Sequence, residues 1–192
     1  VNINELIEKA SKNRVRAVGI VAVDKKWGIG IDDKLPKFPY LDLQWFKHNT
    51  KNKICVVGSK TFATLPSLSG REFIVITRDI DNWNKTRNVG PNVDNRRVVG
   101  ICKDIEFAIQ RAKERAFANG QTEIMVIGGA EIYNYCIENR ILDNVLLTQV
   151  NVDAGCNIVI NDQALAINYS ARPMGTTSVE DTTVGFYNYR LI

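Results

Sequence analysis

Asp42 is the one acid in LPKFPYLDLQWFK (residues 35–47), set among Leu41, Leu43, Trp45 and Phe46. Apolar surroundings disfavour the charged form of a carboxyl and raise its pKa. Such a group can exchange a proton near neutral pH, or pair with a planar array of N–H donors on a ligand. Local sequence by itself leans to a plainer role, a carboxylate capping the start of a helix. Three strand ends supply other candidates. EIMVIGGAEIY (123–133) runs from a buried strand through Gly128–Gly129 into a helix, so unpaired amides face a place where an anion such as a pyrophosphate could bind. Its bland reading is a tight turn. CVVGSKTF (55–62) places Gly58 before Ser59, Lys60 and Thr61, which can bond phosphate oxygens. It lacks the GxxxxGK[ST] pattern of nucleotide hydrolysis. ITR (76–78) offers Thr77 and the planar fork of Arg78. For each of these cations a solvated surface charge is the competing reading.

Other chemistries find little support. Cys55, Cys102, Cys136 and Cys156 form no CxxC pair and His48 is the single histidine, so no metal site is expected. His48 follows Lys47 on the expected exposed side of its helix, and no nucleophilic triad is visible. Asp32 and Asp33 read as a solvated turn rather than as paired catalytic acids. The net charge of +4 comes from scattered residues, 25 basic against 21 acidic, which excludes a basic nucleic-acid-binding tail. No apolar run of about 18 residues appears, and the first residues lack a hydrophobic signal core. A cytoplasmic protein with reduced thiols, without nucleic-acid or membrane partners, is the expectation.

The elements that must position these residues alternate. Continuous apolar runs at 15–24, 53–58, 72–78, 97–102, 123–129 and 144–152 read as buried strands, and VGFYNYRLI near the end as a last strand. Helices are expected over 3–12, 42–50, from Ser59 towards Pro66, over 103–120 with Gly120 ending it, and over 130–139. Residues 79–97 read as the least regular stretch. Strands alternating with helices imply an α/β fold with a mainly parallel sheet covered on both faces. We read residues 1–14 as a helical extension and 15–192 as a single domain.

GIVAVDKKWGIGIDDKLP, DLQWFKHNT, VVGSKTFATL, LSGREFIVITR, EIMVIGGAEIY and LLTQV resemble, in their order and near their spacing over residues 17–150, the dihydrofolate reductase family. The resemblance implies a central eight-stranded mixed sheet, mostly parallel, with the last strand antiparallel. It implies NADPH-dependent reduction of 7,8-dihydrofolate to tetrahydrofolate, by hydride transfer to pterin C6 with protonation at N5, in a monomer or weak homodimer. Under it Asp42 pairs with the pterin, Thr148 bonds that carboxylate, and Leu35 joins them in the catalytic set. Ile20, Val21, Ala22, Leu43, Phe46 and Leu68 border the substrate, and Arg71 grips its α-carboxylate. Gly58, Ser59, Lys60 and Thr61 meet the cofactor from one side; Ile127, Gly128, Gly129, Ala130, Glu131, Ile132 and Tyr133 meet it from the other. Thr77 and Arg78 lie by the adenosine 2′-phosphate, and Ala22, Ile29 and Gly30 by the nicotinamide and its ribose. The Gly128–Gly129 peptide is cis in the family. Departures are Lys37 in place of a tryptophan, Ser59 in place of an arginine, and Gly155-Cys156-Asn157 in place of a Gly-Asp-Thr pattern. Two alternatives accompany this reading: a riboflavin-pathway pyrimidine reductase of the same fold, against which Asp42 argues, and a catalytically decayed folate-binding protein.

Overall fold

Continuous apolar runs become strands buried on both faces: ICVVG, EFIVI and EIMV are almost wholly enclosed. The computed structural model describes residues 2–3, 14–32, 34–66, 68–87 and 97–192. The chain runs β1 (Arg16–Val23), β2 (Gly28–Gly30), α1 (Tyr40–Thr50), β3 (Ile54–Gly58), α2 (Ser59–Thr64), β4 (Glu72–Ile76), α3 (Ile80–Arg87), β5 (Arg97–Cys102) and α4 (Ile105–Ala118). It continues through β6 (Glu123–Val126), α5 (Ala130–Glu138), β7 (Asn144–Val150), β8 (Ile158–Val159), α6 (Asp162–Asn168), β9 (Tyr169–Val179) and β10 (Thr182–Leu191).

Eight strands form one sheet in the order β5-β4-β3-β6-β1-β7-β10-β9. β10 is antiparallel to both of its neighbours, and the other pairings are parallel. This is the mixed, mostly parallel sheet that the sequence led us to expect. β2 and β8 form a separate two-stranded ribbon.

Alternation along β1 divides the core. Ala17, Val21 and Val23 enter the layer completed by α4, α5 and α6, with Ala108, Ala112, Ile132, Cys136 and Leu165. Val18 and Ile20 enter the opposite layer, with Val57, Phe62, Phe73 and Ile127, against which Trp45 and Phe46 of α1 pack. α4 follows its apolar 105/108/109/112/116 pattern, is capped by Asp104 accepting from Phe107 N (2.7 Å), and ends before Gly120 at φ +68°.

Some expectations need correcting. Residues 80–87, read as irregular, form α3, started by Asp79 Oδ1 accepting from Asn82 N (2.9 Å). α6 and β9 had no counterpart in the sequence reading. α1 starts at Tyr40 rather than Asp42. The helix expected over 3–12 lies almost wholly outside the described residues, as does Asp33.

Candidate active site

The cap position of α1 belongs to Pro39, so Asp42 is not the cap; it stands in the first turn, where the helix dipole favours a carboxylate. Its side chain is left to face the sheet. Ala22 lies beside Thr148 in the β1–β7 register. Thr148 is buried and its hydroxyl closes no hydrogen bond of normal length. Burial lifts the Asp42 carboxyl above the usual carboxylate range, and the Thr148 hydroxyl pulls it part of the way back. Together these describe a hydroxyl turned towards the carboxylate without a closed bond. Tyr133 of α5 donates its hydroxyl to Ile20 O (2.5 Å), and its phenol is pushed up by burial and then by the charge of Asp42. Four elements thus meet here: α1 carries the acid, β7 the Thr148 hydroxyl, and α5 the Tyr133 phenol that bonds β1.

Between Asp42 and the end of α1 the lining is apolar. Leu43 and Phe46 are half-buried, and Leu68 is buried in the same layer as Ile20. Val21 differs: its side chain passes into the other layer, so only its backbone can border this space. Leu35 is 62% exposed in the loop before α1, where Lys37 is also exposed. Arg71 lies at the far end, only 8% exposed. It donates from Nε to Thr50 Oγ1 (2.9 Å), from Nη1 to Ser69 O (2.7 Å) and from Nη2 to Lys47 O (2.8 Å). Three of the five guanidinium N–H groups are used, leaving one on each terminal nitrogen, the pair a carboxylate can bridge. Asp42 and Thr50 are separated by about 12 Å along the helix axis. A carboxylate in the first turn of α1 and a guanidinium at its last turn therefore stand at the two ends of an apolar stretch.

The two glycine junctions meet at the ends of the neighbouring strands β3 and β6. Gly58 N donates to Gly128 O (2.7 Å), and the Gly128–Gly129 peptide is cis, as the resemblance implied. A Cβ on Gly129 would sit 2.7 Å from Thr61 Oγ1, and one on Gly58 3.2 Å from Ile132 Cδ1. Gly128 has φ +100°, and a Cβ there would sit 2.8 Å from the Tyr133 ring. The glycines thus bring α2, β3 and the start of α5 close together. Ile132 N and Tyr133 N bond Gly129 O, while the first amides of a helix have no partner within it. This polar strand-end cradle, free of Cβ atoms, fits a dinucleotide pyrophosphate. Ser59 and Thr61 are half-buried on its wall, with Lys60 exposed. Thr77 Oγ1 makes a 3.4 Å hydrogen bond to Asp79 O at the adjoining strand end.

A clamp that the sequence reading missed holds the loop carrying Ile29 and Gly30. The buried Asp24 accepts at Oδ1 from Lys26 N and Gly28 N (2.8 Å each) and at Oδ2 from Ala154 N (3.1 Å). Asp32 and Asn157 exchange two 2.8 Å hydrogen bonds, and Lys26 pairs with Asp153 (2.7 Å). Asn157 N donates to Gly30 O (3.1 Å). Asp followed by Gly four residues on was the available signal, a turn-forming carboxylate in VAVDKKWGIG. A separate open groove, lined by Leu41, Gln44, Trp45, His48, Met174 and Phe186, lies on another face of α1 and touches none of these groups.

Comparison with known proteins places this arrangement in context. The sequence profile of the dihydrofolate reductase family matches residues 17–171. The chain is 30% identical over 135 residues to the type 9 dihydrofolate reductase of Escherichia coli, which covers 70% of each protein. It is 28% identical over 152 residues to bifunctional dihydrofolate reductase-thymidylate synthase 1 of Arabidopsis thaliana; that match covers 73% of this chain and 28% of the longer plant protein.

Proposed function

The chain belongs to the dihydrofolate reductase family, and from that premise we propose that it reduces 7,8-dihydrofolate to 5,6,7,8-tetrahydrofolate with NADPH, in the cytoplasm. The observation that carries the reading is Asp42, an acid raised by burial at one end of an apolar stretch whose other end holds Arg71. A folate matches that arrangement in kind: a flat heterocycle rich in N–H donors at one end, a carboxylate at the other. The four cysteines, all free thiols, support the compartment.

The bound dinucleotide supplies the hydride, and the protein supplies place and proton control. Asp42 accepts paired N–H groups of the pterin and fixes its orientation. Thr148, whose hydroxyl has a free hydrogen, completes the carboxylate's surroundings. Leu43, Phe46, Leu68, Ile20 and the Ala22 backbone exclude water around the rings. Holding two reactants at the correct angle contributes much of the rate. Arg71 bridges the substrate's α-carboxylate with its two remaining N–H groups. Gly58 to Thr61 and Ile127 to Tyr133 cradle the pyrophosphate. Thr77 and Arg78 receive the adenosine end, while Ile29 and Gly30, held by the Asp24 clamp, cover the nicotinamide ribose. Leu35, with no proton to transfer, acts as part of that cover.

The direct test mixes purified protein with NADPH and dihydrofolate and follows loss of reduced-nicotinamide absorbance. Turnover is expected. Turnover only with a ribosylamino-pyrimidine, or folate binding without turnover, would overturn the proposal. Arg71→Leu is expected to weaken dihydrofolate about tenfold or more while sparing a pterin without the glutamate tail. Equal losses for both ligands would remove Arg71 from its role.

A further inference from the structure

This inference rests on the cradle being the cofactor's pyrophosphate site. The cradle lies between the ends of β3 and β6. The reactive ring must reach Asp42, Ile20 and Ala22, which lie over α1 and β1, on one side of it. Sheet order then leaves the adenosine half only the other direction, past β3 to the end of β4. Thr77 and Arg78 are there. Across the same gap stands Glu131, in the first turn of α5, and Arg78 Nη2 pairs with Glu131 Oε2 at 3.7 Å. Both side chains are largely exposed, 86% and 76%. Asp79, next to Arg78, is occupied in starting α3, so among the described residues Glu131 is the acid paired with this cation.

We propose that Glu131 sets how strongly the protein distinguishes NADPH from NADH, by acting as an internal rival for Arg78. A phosphate on the adenosine ribose needs Arg78 and is repelled by the carboxylate beside it. A bare ribose hydroxyl suffers no repulsion and can donate to that carboxylate. Ser59 brings no second cation to the same wall. The phosphorylated cofactor therefore binds with only part of the attraction that the Arg78 guanidinium could give, and the pair weakens further as salt screens it.

Calorimetric titration of the full chain with NADPH and with NADH tests this without turnover. Glu131→Gln is expected to tighten NADPH about three- to tenfold and to leave NADH within about twofold, or weaker. The gain should shrink at high salt. Arg78→Gln is expected to weaken NADPH about tenfold and NADH little. Both side chains are exposed, so unchanged melting temperatures separate binding from folding effects. Equal shifts for the two cofactors in Glu131→Gln, or no shift for NADPH, would overturn the assignment of Glu131 alone. Failure of the parent protein to bind either cofactor would overturn the cradle reading, and this inference with it.

Discussion

Half-burying a carboxyl in the first turn of a helix changes what pH does to the protein. The Asp42 carboxyl is raised above its unfolded value, first by burial. Its favourable contribution is therefore fully present below the unfolded pKa and is lost as pH rises through the folded one. Asp42→Asn is expected to raise the melting temperature at neutral pH by about 2–4 °C, and the gain should vanish below the ordinary carboxylate range. The same variant should lower turnover about 100-fold or more at neutral pH while leaving NADPH affinity within about twofold. A stabilised, cofactor-binding, nearly inactive variant is thus the expected signature of an acid kept for chemistry. Thermal melts across pH and single-turnover rates check the two halves. Arg71 behaves oppositely. Its replacement by Leu strips donors from the buried Thr50 hydroxyl and from the carbonyls of Ser69 and Lys47, so a loss of about 1–3 kcal/mol should accompany the loss of substrate affinity. Asp42 was legible as an oddity in its own stretch. Its partners were not: Thr148 and Tyr133 are distant in sequence, and only the family resemblance placed Thr148 beside it.

At the scale of elements, the loop after β1 is held by one carboxylate. Asp24→Ala would orphan the amides of Lys26, Gly28 and Ala154 and is expected to cost about 2–3 kcal/mol. Hydrogen exchange at Gly28 and Ala154 should accelerate, while amides of β3 and β4 keep their protection. Uniform acceleration through the sheet would mean that the clamp is global rather than local. Gly28→Ala should also fail, because a Cβ there would lie 2.2 Å from Cys156 Cβ. Central strands were readable because each is a continuous apolar run in a sheet covered on both faces. α3 was not: IDNWNKTR has few strong helix formers and only two large apolar residues, Ile80 and Trp83, too few for a period to show. β9 was invisible for a different reason. Ser170 to Ser178 are all exposed, with Pro173 and Gly175 among them, so no alternation signals a face.

Over the whole molecule, the proposed chemistry gathers at the ends of the parallel strands, and the opposite end is fastened by charge. Glu72 at the start of β4 accepts two hydrogen bonds from Arg115 of α4 (2.7 and 2.9 Å) and pairs with Arg97 of β5 (3.0 Å). Glu123 of β6 pairs with Arg16 of β1 (2.8 Å) and with Lys53. Arg115 and the other partners hold the Glu72 carboxyl below its usual range. That stabilisation is present above the unfolded pKa and is lost as pH falls through the folded one. Glu72→Gln should therefore cost about 1 kcal/mol at neutral pH, or roughly 2–4 °C, and nearly nothing in strong acid. Equal destabilisation at both extremes would assign the effect to packing instead.

The position of β10 governs how the molecule can be made. This strand follows all the others of the sheet in chain order, yet it lies between β7 and β9 rather than at a border of the sheet. Until Leu191 has left the ribosome, β7 presents bare peptide groups along one side, and β9 has no neighbour to bind. Nascent chains truncated before Thr182 should remain protease-sensitive and attract holding chaperones, although every other strand of the sheet is already present.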